Sequence, residues 1–236
     1  MGRAFEYRKA AKMKRWGNMS RVFPKLAKAI TMAAKSGSSD PDTNATLRSA
    51  ITTAKAQNLP KDNIEAAIKR ATAKDVANMA EVNYEGKWQH GVLIFVETAT
   101  ENTARTVANI KTLFNKGGGS LVPTGSLEFH FDRKAIFEMK KPDMDIEELE
   151  MELIDAGLEE IKIEDDENIS IYGDYKDFGN LSNQLHEMEL EYEKGSLQRV
   201  PNAPVEITDE QMEELAVLLD KIEDDDDVQN VYTNLA

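Results

Sequence analysis

DPDTNATLRSAITTAKAQNLPKDNIEAAIKRA, residues 40–71, reads as two short amphipathic helices with a turn between them. Leu47, Ala50, Ile51 and Ala54 recur at three- and four-residue spacing, which predicts a helix over 44–57 with these side chains turned inward. Arg48 and Lys55, seven apart, then share its outer side. Asn58-Leu-Pro60 stops that helix, and Ile64, Ala67, Ile68 and Ala71 place another over 62–74. Upstream, Val22, Phe23, Leu26, Ala27, Ile30 and Ala34 form a third apolar stripe, with Arg21, Lys25, Lys28 and Lys35 on the stripe beside it. Lys35-Ser-Gly-Ser-Ser-Asp-Pro41 supplies its stop and turn. Residues 1–75 are therefore expected to form a small, Ala-rich helical domain.

That domain differs in charge from everything after it. The chain of 236 residues carries a formal net charge of -14. Residues 1–74 hold 16 Lys or Arg against 5 Asp or Glu; residues 75–236 hold 13 against 38. A basic third on an acidic remainder suits a protein that binds a polyanion with one part only. The alternative is an ordinary solvated helix surface.

Beyond residue 79 the pattern changes to mixed α and β. Strands are expected over 80–84 and 91–99, a helix over 102–115, and a strand over 126–131. A third unit follows: strand 134–139, helix 145–156, strands 159–164 and 169–172, helix 181–188, strand 189–193. That order is ferredoxin-like. The tail adds a helix over 209–222 and a strand over 228–232, the two elements that the middle unit lacks. The fold class expected is α+β multidomain: an N-terminal helical domain, then two mixed α/β domains, one ferredoxin-like and inserted in the other. The boundaries are 1–75, 76–132 with 206–236, and 133–205.

Several chemistries find little support. No cysteine is present, which removes disulfides and thiolate sites. No window of 18 apolar residues offers a membrane span, and no apolar stretch near the start resembles a secretory signal. A cytoplasmic location is expected. Gly117-Gly-Gly119-Ser120 lacks the P-loop pattern and follows a helix, so it reads as a glycine cap, or else as a close approach for a nucleic-acid backbone. Asp224-Asp-Asp-Asp227 lacks the alternation of a calcium loop and reads as a charged connection. His90, His130 and His186 have no ligand-like spacing, and nothing sets Ser120 or Ser126 beside a base. No catalytic residue, metal or cofactor is expected, and no enzyme.

What remains is the basic set: Arg8, Lys9, Lys12, Lys14, Arg15, Arg21, Lys25, Lys28, Lys35, Arg48, Lys55, Lys61, Lys69 and Arg70. Such residues suit phosphate contacts, which fix affinity and orientation but carry little base information. Tyr7 and Trp16 lie within the basic arm and either stack on an unpaired base or anchor the arm. No helix displays an evident base-reading set of Asn, Gln and Arg on one face.

At this point the chain resembles the YebC/PmpR family, which includes the mitochondrial translational activator of cytochrome oxidase subunit I. Residues 40–71 are similar to the family run DPDxNxxLRxAIxxAKxxNxPxDxIxxAI, and the likeness extends from Arg8 to Asn234. Tyr84-Glu-Gly86, Arg105-Thr-Val107, Lys116-x-Gly-Gly, Gly125-Ser126 and the ending LLDKIEDDDDVQNVYTN match further landmarks. The opening departs: GHSKWxxxxxRK is here the shorter Gly2-Arg-Ala-Phe-Glu-Tyr7-Arg8-Lys9, and Lys87-Trp-Gln-His90 stands where Tyr-Gly-Pro-Gly is usual. The resemblance implies three domains, one inserted in another, and a cytoplasmic, non-enzymatic regulator of gene expression. It implies a DNA-binding transcriptional regulator first. The alternative is a ribosome-associated translation factor bound to ribosomal RNA, including at proline-rich stalls. A protein-docking scaffold is the third reading. A monomer or weak dimer with no membrane partner is expected in each case.

Overall fold

The computed structural model of the chain describes residues 19–72 and 79–236. The backbone separates into two units. Of the described residues, one unit takes in 19–25, 79–132 and 199–236; the other holds 26–72 and 133–198.

In the first unit, Val92 to Val96 is the apolar run that organises the sheet. Strand β1 (Ala80–Lys87) pairs antiparallel with β2 (Leu93–Thr100), from Ala80 opposite Thr100 to Lys87 opposite Leu93. Short β3 (Ser120–Val122) joins the far edge of β1, and β8 (Val228–Thr233) joins β2, giving the order β3-β1-β2-β8. Helices α4 (Thr103–Lys116) and α7 (Asp209–Glu223) belong to the same unit. Their Ile110, Phe114, Leu215, Leu218 and Ile222 share one core with Val92, Ile94 and Val96. The opposite side of β2 is also covered, because Phe95 packs with Leu127 and Phe131. A strand buried on both faces needs a continuous apolar run, which is what its sequence supplies.

The second unit carries the N-terminal helices expected from residues 40–71 and the stripe upstream of them. They are α1 (Met19–Ser36), of which residues from Leu26 lie here, α2 (Ala45–Ala56) and α3 (Lys61–Arg70). Asn44 caps α2 by accepting the Leu47 N–H at 3.0 Å, and its amide donates to Ala33 O at 2.9 Å, tying α2 back to α1. Thr31 Oγ1 donates to Ala67 O at 2.9 Å and does the same for α3. The sheet of this unit is built of β4 (Phe131–Lys140), β5 (Leu158–Ile163), β6 (Asn168–Asp174) and β7 (Lys194–Pro201), in the order β5-β6-β4-β7. Helices α5 (Ile146–Ile154) and α6 (Phe178–Glu187) complete it. Phe137 on β4 stacks on Phe178 at 4.9 Å and meets Tyr192 edge-on at 5.0 Å. Ala45 packs against this core, and Ser49 Oγ donates to the buried Gly195 O, so α2 is built into the unit.

Two expected strands lie elsewhere. Residues 126–131 are not a strand: a single 3-10 turn covers Glu128–His130, and β4 begins at Phe131. The edge strand is instead β3, six residues earlier at its first residue and too short to show a period. Residues 189–193 are likewise not a strand, although Glu193 N–H reaches Glu138 O on β4 at 2.9 Å. Glu189 has φ 57, and Leu190 N–H returns to Leu185 O at 2.9 Å, ending α6 before β7 starts at Lys194.

Candidate nucleic-acid interface

Helices α1, α2 and α3 sort the sequence-predicted cations into two kinds. Lys55, at the end of α2, and Lys69 and Arg70, in the last turn of α3, are exposed. Lys61 opens α3, is exposed, and lies 3.6 Å from Glu65 one turn on, a pair too solvated to hold it firmly. Lys35 is exposed at the end of α1, and Lys28 is half-buried.

Arg48 and Lys25 are of the other kind. The Arg48 guanidinium turns onto α6, donating to Ser182 Oγ at 3.2 Å and Asn183 Oδ1 at 2.5 Å, and to Pro41 O at 3.3 Å. It does not share the outer side of α2 with Lys55. Lys25 Nζ donates to Glu223 O, the carbonyl at the end of α7. Burial holds its pKa below the usual lysine value, against the pull of Glu223, Asp224, Asp225 and Asp226. Both cations serve internal contacts. Tyr7, Arg8, Lys9, Lys12, Lys14, Arg15 and Trp16 lie outside the described residues, as does the side chain of Arg21.

The landmarks of the middle region turn out to be scaffolding. Glu85 is 1 % exposed, yet its carboxylate accepts the N–H groups of Gly125 at 2.7 Å and of Leu127. The next residue, Gly86, faces the Phe114 ring so closely that a Cβ would sit 2.1 Å from Cε1. Gly117 caps α4, its N–H reaching Leu113 O at 3.0 Å, and its own carbonyl accepts Trp88 Nε1–H at 2.8 Å. Gly118 follows at φ 77, so the triplet is the glycine cap. The acidic run is more than a charged connection. Asp227 is 5 % exposed and accepts from Thr106 Oγ1 at 2.8 Å, Thr100 Oγ1 at 3.2 Å and Arg105 Nη2 at 2.7 Å. Sequence reasoning missed it because three neighbouring aspartates look alike. The one available signal was that Arg105 and Thr106 sit together in a second landmark.

Among the described residues no group of three or more His, Asp or Glu is placed to hold a metal ion. No helix among them is long and apolar enough to cross a membrane. The arrangement is that of an α+β protein of several parts, with N-terminal helices presenting cations and mixed α/β units around buried polar ties.

Comparison with known proteins agrees. Residues 3–74 match the TACO1/YebC N-terminal domain, and residues 79–235 match the TACO1/YebC second and third domain. The chain belongs to this family and is a regulatory protein of YebC/PmpR type rather than an enzyme. It is 61 % identical over 235 residues to a probable transcriptional regulatory protein of Campylobacter fetus subsp. fetus, covering 100 % of both chains. A protein of the same description from Wolinella succinogenes is 60 % identical over 238 residues, again across 100 % of each. Among solved structures, a conserved hypothetical protein from Aquifex aeolicus superimposes with a TM-score of 0.78 at 31 % identity, over 93 % of this chain and 90 % of that one.

Proposed function

We propose that this protein is a cytoplasmic regulator of gene expression that binds nucleic acid through its N-terminal helices. The observation that carries the reading is the set of exposed cations at the ends of α2 and α3, in the one part of an acidic chain with a positive balance. Transcriptional regulation on DNA is the first form of the proposal, in keeping with the description its relatives carry. The domain division is part of it: a basic helical domain over 1–75, a mixed domain over 76–132 with 206–236, and an inserted ferredoxin-like domain over 133–205. The strand order β5-β6-β4-β7, with its two helices, supports that last assignment.

A second form is binding to ribosomal RNA as a translation factor. One observation favours it: Lys55, Lys69 and Arg70 sit at helix ends rather than along one exposed face. Cations so placed suit phosphates of a structured RNA better than base edges in a major groove. Sucrose-gradient sedimentation of tagged protein, with and without RNase, separates the two forms. Migration with ribosomal particles that Lys55→Gln, Lys69→Gln and Arg70→Gln together abolish establishes the ribosomal form. Protein that stays at the top yet binds duplex DNA with sequence preference at physiological salt establishes the transcriptional one. Binding that survives nuclease and these substitutions defeats both in favour of a protein-docking scaffold. Neutralisation is placed at these three positions because Lys25 and Arg48 hold internal contacts.

A further inference from the structure

The stretch Arg133–Gln198 of the second unit holds 7 basic residues against 20 acidic ones, so its cations are expected in ion pairs. Three are: Lys134 reaches Glu159 at 2.6 Å, Lys194 reaches Glu138 at 2.6 Å, and Lys162 reaches Glu160 at 3.5 Å. Arg133 and Lys176 differ. Both are exposed, and both gather on one aromatic ring, with Arg133 Cζ at 4.8 Å and Lys176 Nζ at 5.8 Å from the centroid of Tyr175. Those distances lie within cation–π range.

The platform is held from beneath. Arg133 stands near the start of β4, one residue before Lys134, which pairs with Asp174 at the end of β6. Tyr175 is therefore the first residue past that strand. Asp174 Oδ1 accepts the Lys176 N–H at 2.9 Å, fixing the turn, and Phe178 then buries itself against Phe137. The carboxylate nearest in sequence after Lys176, that of Asp177, accepts from Asn180 Nδ2 at 3.0 Å. A tyrosine 37 % exposed, anchored by its backbone and flanked by two solvent-facing cations, combines the two things an unpaired nucleotide binds. These are a flat π-face for the base and positive charge for its phosphates.

The geometry points to Arg133, Tyr175 and Lys176 as a second nucleic-acid contact, which takes one unpaired base on the Tyr175 ring and the adjoining phosphates on the two cations. This contact rests on the nucleic-acid reading above and extends it from the basic helices to the acidic part of the chain. Its ligand class is single-stranded nucleic acid, because a paired base offers no free face to the ring. An acidic peptide could use the cations but has no use for the ring.

The test is fluorescence anisotropy of the full chain with a labelled 12-nucleotide oligouridylate across a range of NaCl concentrations. Tyr175→Ala is expected to weaken binding roughly tenfold, the loss of one stacked base, while Tyr175→Phe stays near wild type. Arg133→Gln with Lys176→Gln should lower the slope of log K against log salt by about 1.4, two phosphate contacts on a single strand. Wild-type affinity and slope retained in all these variants overturn the platform. If binding then falls only on neutralising Lys55, Lys69 and Arg70, the basic helices bind and the platform does not. A wild-type chain that fails to bind the oligonucleotide overturns the platform alone, whereas failure in the duplex-DNA and sedimentation tests as well overturns the reading it rests on. Equal losses in Tyr175→Phe and Tyr175→Ala would assign the effect to the hydroxyl and defeat the stacking role.

Discussion

Glu85 places both carboxylate oxygens on backbone N–H groups of a turn some forty residues away, from a position that is almost wholly buried. Charge-assisted bonds of this kind are stronger than neutral ones, and removing the charge leaves a buried donor poorly matched. Glu85→Gln should therefore cost about 1.5–3 kcal/mol in a urea titration followed by circular dichroism. Gly86→Ala should cost at least as much, because the added Cβ meets the Phe114 ring. Shrinking that ring with Phe114→Leu should return part of the loss, a coupling that a double-mutant cycle measures. Tyr172 gives a pH signature. Burial first, then the nearby Glu164, Glu138 and Glu160, raise its pKa to about 12. An unfolded tyrosine ionises near 10, so between the two values the unfolded chain binds fewer protons and stability falls as pH rises. Urea midpoints taken below pH 10 and again above pH 11 should fall less in Tyr172→Phe than in wild type.

At the scale of elements, the helices were legible because their burial follows the 3.6-residue period that the sequence displays. Two strand assignments failed for a shared reason: alternation without pairing. Leu127, Phe129 and Phe131 alternate, but only Leu127 and Phe131 enter a core, and Phe129 is 89 % exposed on a 3-10 turn. The turn is set by Glu85 from a distant strand, which no local pattern encodes. Likewise Leu190 and Tyr192 pack inward beside Met188 while their backbone follows a left-handed helix end. The role of Asp227 was illegible for the same reason, since its partners lie on β2 and α4. It ties the turn between α7 and β8 to both elements. Asp227→Ala should cost about 1–3 kcal/mol, because the buried Thr100 hydroxyl loses its acceptor while Thr106 falls back on Asn102 O. Arg105→Ala should cost less, since the guanidinium is largely exposed and Asp227 keeps both hydroxyls. Thermal melts of the two variants side by side read that order directly.

At the scale of the whole molecule, composition showed the charge partition, and the fold decides which of those charges a ligand can reach. Of the basic residues described in the N-terminal helices, Arg48 and Lys25 are committed to internal bonds, whereas Lys55, Lys69 and Arg70 face solvent. A uniform count of cations therefore overstates the contact surface. The consequence is a salt dependence that can be apportioned. Each phosphate contact adds about 0.9 to the slope of log K against log salt on duplex DNA and about 0.7 on a single strand. Glutamine is the substitution to use, because glutamate in the last turn of α3 would oppose the helix dipole and confuse binding with folding. Lys55→Gln, Lys69→Gln and Arg70→Gln combined should leave the melting temperature within a few degrees of wild type. The same variant should lower the slope by about 2.7 on duplex DNA, or about 2.1 on a single strand. Arg48→Gln should do the reverse, lowering the melting temperature through the lost bonds to α6 while leaving the slope of the surviving folded protein unchanged. A slope that responds to Arg48 as strongly as to the other three would show that its guanidinium leaves α6 to meet the ligand.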